Sequence, residues 1–266
     1  MIQNIIVPVD FSVEAENALL FAAEIAKRNS AKLTILHAEP ASDNLNLDTQ
    51  KLRYFEMKVH NLFGAEVPCA PLLVTKDLIS SLESLEASNS SDLIVMGTKG
   101  ASGLKKLLIG SNTVRVLSVS KSPVLVIPGS ARFNDFNKTG KNRVVLATDL
   151  EETRNESGYN MLSEMLKLMI EPKLRILHVR PKNTSLNPVQ ELQRSALLSS
   201  FGEEVATERI TVFSDNVLDG INYYLDKNSD TGMIVMIARD SGGLFQKHFT
   251  REMASITHFP LLVLKE

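Results

Sequence analysis

The sequence repeats itself, and this repeat constrains the fold more than any other feature. The segment KLTILHAEP, residues 32–40, returns 141 residues later as KLRILHVRP, residues 173–181. Three more segments recur in the same order at nearly the same offset: IIVPVD as VVLATD, LIVMGTKGASGL as MIVMIARDSGGL, and SPVLVIP as FPLLVLK. Four matched segments in one order indicate duplication of a single domain. At 266 residues, the chain is long enough for two domains of ordinary size.

Within each half, short apolar runs alternate with longer amphipathic stretches, which is typical of β-α-β units around a parallel sheet. The sequence therefore predicts two tandem doubly wound α/β domains, each a five-stranded parallel sheet flanked by helices. Domain 1 is predicted at residues 1–130, a linker at 131–142, where periodicity is lost, and domain 2 at 143–266. The predicted helices are Val13–Lys27, Asp48–Phe63, Lys76–Ala87 and Ser111–Val119, then Glu152–Leu168, Pro188–Ser200, Asn216–Asp226 and Arg251–Ile256.

The composition narrows the partners and the compartment. Acidic and basic residues nearly balance, at 31 against 29, so we expect neither nucleic acid nor an anionic membrane as a partner. Cys69 is the one cysteine, which excludes an intrachain disulfide and a thiolate zinc cluster. The first residues lack the pattern of a signal peptide, and no apolar run reaches the length of a membrane helix. We therefore expect a cytoplasmic protein.

The segment MGTKGASGLKKLLIGSNT, residues 96–113, indicates the chemistry of the first half. It places Gly97, Gly100 and Gly110, followed by Ser111, between a strand and a helix. Glycines let the backbone approach a ligand, and a helix N-terminus offers amide groups to an anion. The spacing is neither a P-loop nor the dinucleotide fingerprint. The nearby lysines, Lys99, Lys105 and Lys106, either add positive charge or are simply solvated.

Together IIVPVDFS, TILHAEP, MGTKG, GSNTVRVL and PVLVIP resemble the universal stress protein family, over the whole chain in two copies. The resemblance implies a Rossmann-like fold and an ATP-binding regulatory module in the stress response, with or without Mg²⁺. It assigns no catalytic residue and no metal ligand. The nucleotide-binding positions that it implies are Pro8, Val9, Asp10, Ala38, Met96, Gly97, Lys99, Gly100, Gly110, Ser111, Asn112 and Thr113. Asp10 could alternatively cap the first helix.

The second half departs from this motif. Three positions are kept or nearly so, since Asp10, Ala38 and Met96 correspond to Asp149, Val179 and Met236. The first two glycines of the motif are replaced by Ile237 and Asp240. The pair Gly110-Ser111 is replaced by Thr250-Arg251. An added carboxylate and larger side chains oppose phosphate binding, so the sequence places the nucleotide site in the N-terminal half. A different anion remains open, because Lys247, His248 and Arg251 are cationic.

Two alternatives to a binding module stay open: slow ATP hydrolysis at the same site, and a nucleotide-free interaction protein. The resemblance also implies that the two final strands pair the halves into a pseudo-dimer, and a further homodimer is open. Matching strands end in His37 and His178, for which we expect structural roles. We expect Cys69 to be buried, and Met161, Met165 and Met169 to pack in the core on one helix face.

Overall fold

The structure is a computed structural model that describes residues 1–40, 45–98, 109–133, 140–152, 157–201, 205–239, 252–254 and 258–265. The chain folds into two compact units, built mainly from Met1–Phe133 and from Asn134–Met253. No helix in these ranges has the length and apolar character that crossing a membrane requires.

In the first unit, the described strands form a parallel sheet in the order β3-β2-β1-β4-β5. They are β1 (Asn4–Pro8), β2 (Lys32–Ala38), β3 (Cys69–Val74), β4 (Leu93–Gly97) and β5 (Val124–Ile127). The helices are α1 (Val13–Asn29), α2 (Leu45–Phe63), α3 (Leu78–Ala87) and α4 (Ser111–Val119).

The second unit repeats this arrangement, with described strands in the parallel order β8-β7-β6-β9-β10. They are β6 (Arg143–Ala147), β7 (Lys173–Arg180), β8 (Ala206–Phe213), β9 (Thr231–Ala238) and β10 (Leu261–Lys265). The described helices are α5 (Ser157–Lys167), α6 (Pro188–Ser200) and α7 (Val217–Lys227). The predicted α/β class with parallel sheets is confirmed.

The strand order fixes where a ligand can enter the first unit. From β1 the chain builds toward β3 on one side, and β4 and β5 lie on the other. Helices that leave β1 and β4 therefore diverge, which opens a crevice at the carboxyl ends of these strands. The residues that end β1, β2 and β4 meet there. They are Pro8, Ala38 and Gly97.

Several local predictions are corrected. Helix α5 begins at Ser157 in the described chain, and Glu152, predicted to start it, is not helical. Cys69 is only partly buried, because β3 is an edge strand, so the predicted burial is wrong. The predicted core packing of Met161, Met165 and Met169 is confirmed, as all three are buried.

The start of the predicted linker packs on α1. Phe133 stacks edge-on against Phe21, with ring centroids 4.9 Å apart. Arg132 donates to the carbonyl of Gly129 and to Asn17 Oδ1, at 2.7 and 3.1 Å. The first unit therefore extends to Phe133, three residues beyond the predicted boundary at 130.

Candidate functional site

A cavity of about 300 Å³ lies at the carboxyl edge of the first unit's sheet. Its volume is at the lower end of the range for small-molecule sites. Ten of the twelve predicted nucleotide-binding residues line it: Pro8, Val9, Asp10, Ala38, Met96, Gly97, Gly110, Ser111, Asn112 and Thr113. The other two, Lys99 and Gly100, lie outside the described residues. The cavity is completed by residues that the sequence did not single out as ligand-binding: Ala15, Leu36, His37, Glu39 and Leu78.

The turn after β1 positions Asp10 at the cavity. Phe11 adopts a left-handed backbone conformation, with φ +62°. Ser12 then donates to Asp10 Oδ1 from its backbone nitrogen at 3.1 Å and from its hydroxyl at 2.5 Å. The same hydroxyl accepts from Ala15 N at 3.1 Å. Ser12 is thus the N-cap of α1, and the alternative in which Asp10 caps this helix is wrong.

Helix α4 begins at the cavity without a side-chain cap. Its N-cap is Gly110, which has no side chain to accept from the first-turn amides. The Thr113 hydroxyl donates to the carbonyl of Gly97 at 2.9 Å, which ties this helix to β4. By contrast, Asp77 accepts from two amides at the start of α3. The first turn of α4 therefore presents amide groups and the positive end of its dipole to the cavity.

Gly97 has a packing role that the sequence did not predict. A Cβ at this position would lie 2.9 Å from the carbonyl oxygen of Glu14 and 3.0 Å from its carbonyl carbon. Both atoms belong to the first turn of α1. Gly97 therefore allows α1 to approach β4. Its expected close approach to a ligand stays a prediction.

His37 forms part of the cavity wall and is held by the protein. Its Nδ1 lies 2.7 Å from the carbonyl of Val9, and its ring lies 4.4 Å from that of Phe11, centroid to centroid. Its Nε2 is 4.0 Å from Asp48 Oδ2. In the second unit, His178 Nδ1 lies 2.9 Å from the carbonyl of Thr148, and burial lowers its pKa. The predicted hydrogen-bonded role of both histidines is confirmed.

The charged side chains among the described lining residues are two carboxylates, those of Asp10 and Glu39. Within the described ranges, no group of three or more His, Cys, Asp or Glu side chains could hold a metal ion. A metal ion in the cavity would therefore depend on ligand oxygens and water for most of its coordination.

The second unit differs at the matching place. Asp149, which matches Asp10, is 3% exposed, and Arg239, which matches Lys99, is 5% exposed. They form a buried ion pair, with Nη2 3.3 Å from Asp149 Oδ1. Arg239 was not singled out from the sequence, although its place in the repeat was a usable signal. Ile237 is buried, while Asp240, Thr250 and Arg251 lie outside the described residues.

Comparisons with known proteins agree with this fold. A model of the universal stress protein family matches residues 1–128. A Staphylococcus aureus (strain USA300) protein described as a universal stress protein is 28% identical over 138 residues, which cover 47% of this chain and 83% of the relative.

Two solved structures share the fold across both units. A universal stress protein from Archaeoglobus fulgidus covers 98% of each chain at 17% identity, with a TM-score of 0.65. One from Pseudomonas aeruginosa covers 99% of this chain and 93% of its own at 16% identity, with a TM-score of 0.62. The family match spans all the described residues that line the cavity, so the first unit is a universal stress protein domain.

Proposed function

We propose that the first unit binds an adenine nucleotide, ATP foremost, and that the protein acts as a nucleotide-dependent regulatory module in the stress response. The observation that carries this proposal is the convergence, in one cavity, of three strand ends and the uncapped start of α4. Anions bind at helix N-termini because amide groups and the helix dipole point toward them. Ligands of open α/β sheets bind where the strand order reverses.

The residues that line the cavity suggest an orientation for the nucleotide. Its phosphates face the first-turn amides of α4, at Ser111, Asn112 and Thr113, with Lys99 and Gly100 contributing from the same motif. The two carboxylates follow β1 and β2, on the far side of β4 from β5. A carboxylate accepts hydrogen bonds from ribose hydroxyls, which assigns the sugar to Asp10.

The base lies on the apolar part of the wall, formed by Val9, Ala38 and Met96. Val9 and Met96 are nearly fully buried, at 6% and 5% exposure. Packing therefore fixes these two side chains before a ligand binds, and a purine ring gains free energy by covering the apolar surface that the wall still exposes. This orientation keeps the triphosphate away from Glu39, which would repel it.

Mg²⁺, when bound, would neutralise part of the triphosphate charge. Asp10 and Glu39 are the carboxylates that reach this cavity from the described residues. Mg²⁺ in nucleotide sites commonly takes one or two carboxylates and completes its shell with phosphate oxygens and water. In the orientation proposed above neither carboxylate lies beside the phosphates, so an ion that arrives with the nucleotide would keep phosphate oxygens and water as its main ligands.

We propose binding rather than turnover. His37 is the described histidine that lines the cavity, and its Nδ1 is engaged by the carbonyl of Val9. Its second nitrogen faces Asp48 on α2. Phosphoryl transfer depends on a group that orients the attacking water, and these contacts hold His37 away from that task.

Isothermal titration of the full chain with ATP tests the proposal. Gly110→Arg places a long side chain at the start of α4, and we expect affinity to fall at least about 100-fold, the loss of roughly two charge-assisted hydrogen bonds. Thr250→Arg, at the matching position of the second half, is the control and should bind as the wild type does. Equal losses in both variants, or no binding by the wild type, would contradict the proposal. Incubation with ATP and Mg²⁺, followed by quantification of ADP, separates binding from slow hydrolysis.

A further inference from the structure

Arg239 forms an ion pair with Asp149, the second unit's counterpart of Asp10, which lines the cavity of the first unit. We propose that the Arg239 guanidinium is an internal substitute for a ligand, which fills this site, holds the turn after β6 and prevents nucleotide binding there. The inference rests on the proposed function in one respect, since it explains why the chain binds one nucleotide rather than two.

Among the described residues, the guanidinium donates to three acceptors of one short segment, which we call the β6 turn, residues 149–152. Its Nη2 donates to Asp149 Oδ1 at 3.3 Å and to the carbonyl of Glu151 at 3.0 Å. Its Nη1 donates to the carbonyl of Glu152 at 2.8 Å. A buried charge is tolerated when it is paired and hydrogen-bonded, and both Nη atoms of this guanidinium have acceptors.

The two units share the turn but differ in what it binds. Leu150 and Phe11 occupy matching positions and both have left-handed backbones, with φ of +60° and +62°. In the first unit the carbonyl of Ser12 accepts from Glu16 N, inside α1. In the second unit the matching carbonyl, that of Glu151, accepts from Arg239. A side-chain donor from the end of β9 therefore binds a carbonyl whose counterpart in the first unit binds a helical amide.

A glycine that packs closely in the first unit is replaced by a larger residue in the second. Gly97 lets the first turn of α1 approach β4, and a Cβ there would meet the backbone of Glu14. The matching residue is Ile237, whose side chain is buried, at 4% exposure. Glu152, which matches the first residue of α1, is not helical. Its carbonyl is thereby available to Arg239.

A second side chain fixes the β6 turn from the side of α6. Gln190 Nε2 donates to the carbonyl of Asp149 at 3.1 Å and to Glu151 Oε1 at 3.3 Å. Gln190 is itself held by the capping box with Asn187 at the start of α6. The turn is thus fixed by α6 and by Arg239, and Arg239 supplies the positive charge opposite Asp149.

Hydrogen exchange in the full chain tests the substitution directly. The amides of Leu150 and Glu151 donate to Thr148 Oγ1 and Asp149 Oδ1, so their exchange reports on the β6 turn. In Arg239→Ala we expect this exchange to accelerate at least about 10-fold, because an unpaired buried carboxylate is strongly unfavourable. Methylguanidinium at millimolar concentration should restore the protection, whereas methylammonium, which lacks the planar fork, should not.

Arg180→Ala is the matched control, since Arg180 ends β7, packs over the Phe213 ring at 4.9 Å and should leave the β6 turn unchanged. Should Arg239→Ala fail to fold, the double variant Arg239→Met with Asp149→Asn removes both charges and should recover folding. The inference would be overturned if hydrogen exchange in Arg239→Ala were unchanged, or if methylammonium restored protection as well as methylguanidinium does. A double variant as unstable as Arg239→Ala would overturn it too.

Counting bound nucleotide separates this inference from the proposed function. We expect one ATP per wild-type chain and none in Gly110→Arg. Two per wild-type chain would overturn the role of Arg239 and leave binding in the first unit intact. None in the wild type would overturn the proposed function, while the exchange experiment would still decide whether the guanidinium holds the β6 turn.

Discussion

Gly97 has two explanations, and they predict opposite effects of Gly97→Ala on the free energy of unfolding. If Gly97 only clears space for a ligand, alanine should stabilise the unliganded protein by about 0.4–1 kcal/mol through the unfolded state. The structure instead places the new Cβ 2.9 Å from Glu14 O and 3.0 Å from Glu14 C. These are backbone atoms of α1, so either the helix or β4 must shift. Overpacking of this kind costs about 1–3 kcal/mol, and we expect Gly97→Ala to destabilise the protein by this amount.

Thermal unfolding without nucleotide measures the effect, and the midpoint should fall by roughly 3 to 15 °C for a unit of this size. Gly129→Ala is the matched control, because its Cβ would lie 3.6 Å from Glu14 Cγ, an ordinary contact with the same residue. Its stability should stay within about 0.5 kcal/mol of the wild type. A Gly97→Ala protein as stable as the wild type would refute the packing argument.

Two further predictions concern titrating groups. Burial lowers the pKa of His178 in the folded protein. The unfolded chain therefore binds more protons than the folded protein below a pH of about 6.5. The free energy of unfolding should fall as the pH drops below that value. Urea unfolding at several pH values should show this loss, and His178→Asn should reduce it; an identical pH profile for the variant would contradict the assignment. Burial also raises the pKa of the Cys69 thiol to about 12. Alkylation at pH 8 should be on the order of 100-fold slower in the folded protein than in urea, and equal rates would count against this environment.

Most residues that line the cavity could be located from the sequence because they lie at the ends of strands. Apolar runs flanked by helical periodicity identified β1, β2 and β4, and the ends of parallel strands share one edge of a sheet. Ten predicted residues consequently line one cavity. Whether they contact a nucleotide stays a prediction. So does the pairing of the two final strands.

Partners that are far apart in the chain could not be found in this way. Asp149 and Arg239 are 90 positions apart, and nothing local to either residue announces the pair. Nor does the motif around Gly97 show that its neighbour is Glu14 of α1, 83 positions earlier. The sequence also left open that Asp10 caps α1, because Asp10 and Ser12 both suit that role and the backbone turn at Phe11 decides between them.

The amino-acid sequence alone determined the duplication, the parallel α/β class and the edge of the sheet where a ligand would bind. These follow from hydrophobic periodicity, which is local and is copied with each repeat. Only the tertiary structure decided that α1 packs against Gly97 and that a guanidinium lies opposite the second unit's aspartate. Such contacts depend on distances between segments that are remote in sequence, and those distances exist only once the sheet and helices have packed.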